Sequence, residues 1–196
     1  REDIKKKILT TGIRVGTEVK TKYMIPYITQ ASPEGLYLFD LDITLSRIET
    51  AGRFIKKFDM EKVIVYSGRT YANTPIEKFC ELTGARKMLG RFMPGTLTNP
   101  LLPYYLEPQL IIVSDPQVDA QAVNEATNAG IPVIGIANTD NVTSKLDLVI
   151  PANNRGRKAL ATIYWLLASE ILQDSKAMKY EIDDFETKTA EVEEEL

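Results

Sequence analysis

Five short apolar runs, each the length of a β-strand, are set among segments whose apolar residues recur at helical spacing. The runs are "LYLF" at 36–39 (Leu36 to Phe39), "KVIVYS" at 62–67, "LIIVS" at 110–114, "PVIGIA" at 132–137 and "DLVIP" at 147–151. After the first comes "ITLSRIETAGRFIKKF", with Ile43, Ile48, Ala51, Phe54, Ile55 and Phe58 in helical register. "TPIEKFCEL" follows the second, with Thr74 as the expected N-cap, Pro75 at the first helical position and Gly84 as the stop. "VDAQAVNEATNAG" follows the third, and "GRKALATIYWLLASEILQ" closes the series. Continuous apolar runs are strands buried on both faces, and strands alternating with helices feed a parallel sheet. The expectation is an α/β domain: a doubly wound, mostly parallel five-stranded sheet.

Composition narrows what such a domain can do. At 196 residues and 44% hydrophobic content, the chain suits one domain with a sizeable core. It has no histidine, which removes Ser–His and Cys–His catalysis and most zinc sites. Its one cysteine, Cys80, lies in a helical pattern and reads as a small core residue. No apolar run has the length of a membrane span and no signal peptide opens the chain, so no membrane partner and a cytoplasmic location are expected. No loop carries GxGxxG or GxxxxGK[ST], so no cofactor or small-molecule substrate is expected.

The net charge of −3 hides an asymmetry. "EIDDFETKTAEVEEEL" at 181–196 sets eight acids against one lysine, leaving 23 basic and 19 acidic residues in 1–180, a net of +4. The acidic end reads as a solvated, disordered tail or a terminal helix. At the other end, a short helix over 2–9 carries Lys5, Lys6 and Lys7, and "TTGIRVGTEVKTKYMIPYI" reads as an irregular arm or hairpin. The expected division is 1–30 as helix and arm, 31–178 as the α/β domain and 179–196 as the tail.

Two pairs of carboxylates raise the question of catalysis. "LYLFDLDITLS" places Asp40 and Asp42 after an apolar run, and "LIIVSDPQVD" places Asp115 and Asp119 after another. Asp40, Asp42, Ser67 and Lys87 resemble the motifs of haloacid-dehalogenase-type phosphatases, which would imply Mg²⁺-dependent phosphoryl transfer. The other reading is that the carboxylates cap helix N-termini, where negative charge is favoured. The helical pattern begins at Ile43, which leaves no room for the flap that such phosphatases insert there.

"GRFMPGTLTNPLLPYYLEPQ" at 90–109 fits no ordinary crossover, because Pro94, Gly95, Pro100, Pro103 and Pro108 rule out a continuous helix. Its Arg91, Thr96, Thr98 and Asn99 suit sugar and phosphate contacts, or else satisfy their own backbone. "GRFMPGTLTN" resembles the signature of the S-two family of small-subunit ribosomal proteins. "EPQLIIVSDPQVDAQAVNEATNAGIPVIGIANTDN" is similar to a second family signature, and the arm and "DLVIPANNRGRKALATIYWLLASEIL" also resemble it. That family's own pattern accounts for Asp40, Leu41, Thr44, Asp115 and Asp119 without catalysis.

The resemblance implies a flavodoxin-like (Rossmann-like) fold of archaeal type with no catalytic activity. Its implied partners are small-subunit ribosomal RNA and neighbouring ribosomal proteins. The expected RNA contacts are Lys20 and Lys22 on the arm, Arg69 after the second strand, Arg91, Thr96 and Asn99 in the loop, and Arg155, Arg157 and Lys158 at the last helix. Cations at that helix start oppose the helix dipole, a cost that an anionic partner would relieve.

Overall fold

The computed structural model describes residues 8–172 and 180–187. The expected helix with Lys5, Lys6 and Lys7 lies almost wholly outside them, as does the end of the acidic segment, 188–196. Among the described residues there are seven strands: β1 (Ile28–Ala31), β2 (Tyr37–Phe39), β3 (Val63–Ser67), β4 (Arg86–Leu89), β5 (Leu110–Val113), β6 (Val133–Ala137) and β7 (Leu148–Pro151). Among the described residues they are accompanied by helical residues 8–10 and by the helices α1 (Leu41–Ile55), α2 (Asn73–Thr83), α3 (Ala120–Ala129) and α4 (Arg157–Leu172).

The central sheet is five-stranded and wholly parallel, in the order β4-β3-β5-β6-β7. Counted along the chain this is 2-1-3-4-5, the flavodoxin-like order, whose switch point lies between β3 and β5. The strand count is the expected one, but its membership differs. "LYLF" is outside this sheet, and β2 pairs antiparallel with β1 in a two-stranded ribbon. The fifth place is taken by "RKML". As an edge strand it exposes Arg86 and Lys87, so it lacks the apolar run that marks a central strand.

Side-chain alternation divides the core. Val63, Val65, Leu110, Ile112, Ile134, Ile136 and Ile150 face α1, α2 and α4 in the larger cluster. Ile64, Tyr66, Ile111, Val113 and Val133 face α3 on the other side. There the crossover from β4 to β5 supplies Phe92 and Leu97 where a helix would otherwise lie. The long proline-rich segment is thus a packed crossover.

Helix starts differ in detail from expectation. α1 begins at Leu41, capped by Asp40, whose carboxylate accepts from the N–H groups of Asp42 and Ile43 at 2.9 and 3.3 Å. α2 begins at Asn73, one residue before the expected cap Thr74, continuing from a 3-10 turn over Thr70–Ala72. The acidic segment also departs from a solvated tail over 180–187. Phe185 is fully buried, Trp165 Nε1 donates to Tyr180 O at 3.1 Å, and Thr187 Oγ1 donates to Tyr71 O at 2.9 Å. Lys78 stacks over the Tyr180 ring at 4.0 Å. Aromatic burial, invisible in the charge pattern, holds this part of the chain against α2 and α4.

Candidate nucleic-acid interface

Loops leaving β3, β5, β6 and β7 meet at the carboxyl edge of the sheet, where folds of this order bind ligands. Here the switch point is filled by the protein's own polar groups. Arg69, only 25% exposed, donates Nε and Nη2 to Asp115 Oδ2 at 2.8 and 2.5 Å. The other oxygen of Asp115 accepts from the Gln117 N–H and Asn141 Nδ2. Asp119 accepts from the N–H groups of Gly68 (2.8 Å) and Asp115 (3.1 Å), tying the β3 loop to the β5 loop. It occupies the N-cap position of α3, yet its side chain makes no cap. Burial pushes its carboxyl up to about 7, against the pull of those two N–H groups. Beneath, Ser114 Oγ and the Tyr164 hydroxyl share a buried hydrogen bond of 2.7 Å.

Asn141 and Asn154 continue the network under β6 and β7. Asn141 Oδ1 accepts from the Asn138 N–H and from Asn154 Nδ2, which also donates to Ile136 O. Over this layer lies the arm. Thr21 donates its N–H to Thr139 O and its hydroxyl to Asn141 O. The Thr17 N–H donates to Thr139 Oγ1 at 2.8 Å. Gly16 is required by close approach: a Cβ there would lie 2.4 Å from Thr139 Cγ2 and 2.8 Å from Tyr37 O. Among the described residues, the buried side-chain polar atoms without a partner are Arg14 Nε, Asp140 Oδ1 and Asn154 Oδ1, on this arm and these two loops.

The nine residues expected to touch RNA therefore divide. Lys20 and Lys22 are exposed on a pinned arm, Lys20 with its ammonium 4.7 Å from the Tyr37 ring centroid. Arg155 is exposed and pairs with Asp140 at 2.5 Å, Arg157 starts α4, and Lys158 is exposed beside it. Arg91 is exposed at the entry to the crossover loop, just after the edge strand β4. Arg69 and Thr96 serve the fold instead: Arg69 neutralises Asp115, and buried Thr96 donates to Met93 O at 2.6 Å. Asn99 is exposed and its Oδ1 accepts from the Leu101 N–H, bracing a turn.

One buried residue that shapes this surface was not singled out from sequence. Glu125 on α3 accepts from the N–H groups of Gly95 (2.8 Å) and Leu97 (3.2 Å) and from Gln121 Nε2 (2.8 Å). Gly95 has φ +91, so the signature glycine is needed for its left-handed conformation; a Cβ there would meet the movable end of Leu102. The signal was present in the helical spacing, since Glu125 falls on the stripe of Ala122 and Ala126.

Nothing in this geometry favours phosphoryl transfer. The strand before Asp40 belongs to the ribbon, not to the parallel sheet, and the Asp40 carboxylate is engaged as a cap. Burial pushes the Cys80 thiol up to about 12, which keeps it protonated.

A family model described as Ribosomal protein S2 matches residues 104–174. The chain is 69% identical over 197 residues to small ribosomal subunit protein uS2 of Nitrosopumilus maritimus, covering 97% of this chain and 95% of that one. It is 60% identical to the uS2 protein of Cenarchaeum symbiosum, covering 92% and 90% of the two chains. With that of Thermofilum pendens it shares 53%, covering 84% and 77%. Similarity of this degree along nearly the whole chain places it in the ribosomal protein S2 family.

Proposed function

We propose that this chain is a structural constituent of the small ribosomal subunit, located with the ribosome in the cytoplasm, where it holds ribosomal RNA and neighbouring proteins and carries out no catalysis. The observation that carries this reading is the 69% identity, over 97% of this chain, to a protein named as a small-subunit component. The arm, the α/β body and the acidic end act as its three working parts, divided near residues 30 and 178. RNA is held through phosphates and riboses rather than through base edges in a deep A-form groove. Lys20, Lys22, Arg155, Arg157 and Lys158 meet it along the carboxyl edge, and Arg91 and Asn99 meet it at the crossover loop. Arg69 and Thr96 contribute by fixing the loops.

The pinned arm supports this assignment. Lysines held on a segment already ordered by Thr17, Thr21 and Gly16 lose less entropy on meeting phosphate than lysines on a free tail. The body's net of +4 favours salt-sensitive binding that is completed only in the particle. Sedimentation of a lysate of the native organism through a magnesium-containing sucrose gradient tests the reading. The chain is expected to peak with the small subunit and to move to the top as salt rises. Migration with free protein at every salt concentration would refute the ribosomal role.

A further inference from the structure

Between Arg91 and Glu107 the crossover loop runs for fifteen residues without a charge, in a chain that is 26% charged. Several of its polar groups are spent internally. The Gly95 and Leu97 N–H groups go to Glu125, the Thr96 hydroxyl to Met93 O, and Asn99 Oδ1 accepts from the Leu101 N–H. Beside the exposed Thr98 and Asn99, it presents large apolar side chains to solvent: Leu101 is 91% exposed, Met93 49% and Tyr104 39%. Pro94, Pro100 and Pro103 are exposed among them.

A single exposed leucine is ordinary. Here three large apolar side chains share one loop that is stiffened by prolines and braced by a buried carboxylate, so little freedom remains to be lost on docking. The loop's charge character decides the partner. From 92 to 106 it offers phosphates no cation, whereas an uncharged apolar recess complements it. We propose that the tip of this loop, led by Leu101, seats in an apolar recess of a neighbouring protein of the small subunit, an inference that rests on the ribosomal reading above. Protein contact then belongs to the Leu101 tip of the crossover loop, and RNA contact to the arm, the α4 start and the Arg91 and Asn99 side chains of that loop.

Rebinding to small subunits stripped of this protein by a high-salt wash tests it. The purified full chain and Leu101→Ser are titrated onto the subunits at two potassium chloride concentrations. Leu101 is exposed, so the variant folds as the parent does. The expected result is a loss of affinity of roughly 10- to 30-fold, by the same factor at both concentrations, because an apolar contact carries no counterion-release slope. A photoreactive amino acid in place of Leu101 should crosslink to a ribosomal protein. Unchanged affinity of Leu101→Ser, or a crosslink to RNA alone, overturns the inference while leaving the ribosomal reading in place. Failure of the parent chain to rebind overturns the ribosomal reading, and this inference falls with it.

Discussion

Removing the carboxylate of Glu125 should loosen the crossover loop from the sheet. In Glu125→Ala, the Gly95 and Leu97 N–H groups both lose their acceptor. Leu97 is buried, so its N–H has no replacement, and a buried donor left unpaired costs about 1–3 kcal/mol. Gly95 is half-buried and can turn part of its N–H to water, which puts its share near the lower end of that range. Taking away a buried carboxylate recovers some of its desolvation cost. The expected net loss is about 2–3 kcal/mol, roughly half of that for Glu125→Gln, which keeps one acceptor oxygen. Urea unfolding of the full chain at unchanged m-value measures the stability. Amide exchange at Leu97 locates the effect and should accelerate with the stability loss. A change in stability under about 0.5 kcal/mol, with Leu97 exchanging as in the parent, would show that something other than this carboxylate holds the loop.

Three other perturbations report on separate parts of the molecule. Phe185→Ala should cost about 3–5 kcal/mol and expose the chain near Tyr180 to limited proteolysis, because Phe185 is fully buried against the domain; resistance equal to the parent's would show that the segment stays docked without it. The Asp119 carboxyl binds its proton more tightly in the folded protein, so the stability it contributes is full below about pH 4 and is lost as pH rises through about 7. The difference between parent and Asp119→Asn stability, followed across that window, should therefore change in the direction of relative destabilisation of the parent, and a flat difference would remove the shift. Replacing both Lys20 and Lys22 by Gln should weaken binding to stripped small subunits and reduce the salt slope by about 1–2, and an unchanged slope would take the arm out of the RNA interface.

The central strands were legible because each is buried on both faces and therefore written as an unbroken apolar run. β4 was not, since an edge strand needs apolar side chains on only part of its surface and here carries Arg86 and Lys87. β2 was misplaced for the opposite reason. Phe39 is buried beneath the arm with Met24 and Ala137, so the ribbon strand looks like a sheet strand although its hydrogen bonds go elsewhere. At the site, residue type was informative and commitment was not. Arg69 and Lys20 are both cations near the carboxyl edge. Only the fold shows that Asp115 claims the first, while the second stands exposed over Tyr37.

Two contacts between residues far apart in sequence also set an order of events in synthesis. The arm's anchor, Thr17, waits for Thr139, made 122 residues later, and Thr187 returns across 116 residues to Tyr71. Contacts so distant in sequence are slow to form, because loop closure must be achieved before they stabilise anything. On a chain growing from its N-terminus, the arm has nothing to lie on until the β6 loop emerges, and the pocket for Phe185 stays unfilled until that residue has itself emerged. A lysine-bearing arm that is unpinned during translation is a flexible polycation, and pinning turns it into a fixed surface. The fixed lysine surface of the arm therefore forms only after the β6 loop has been made, 122 residues behind Thr17.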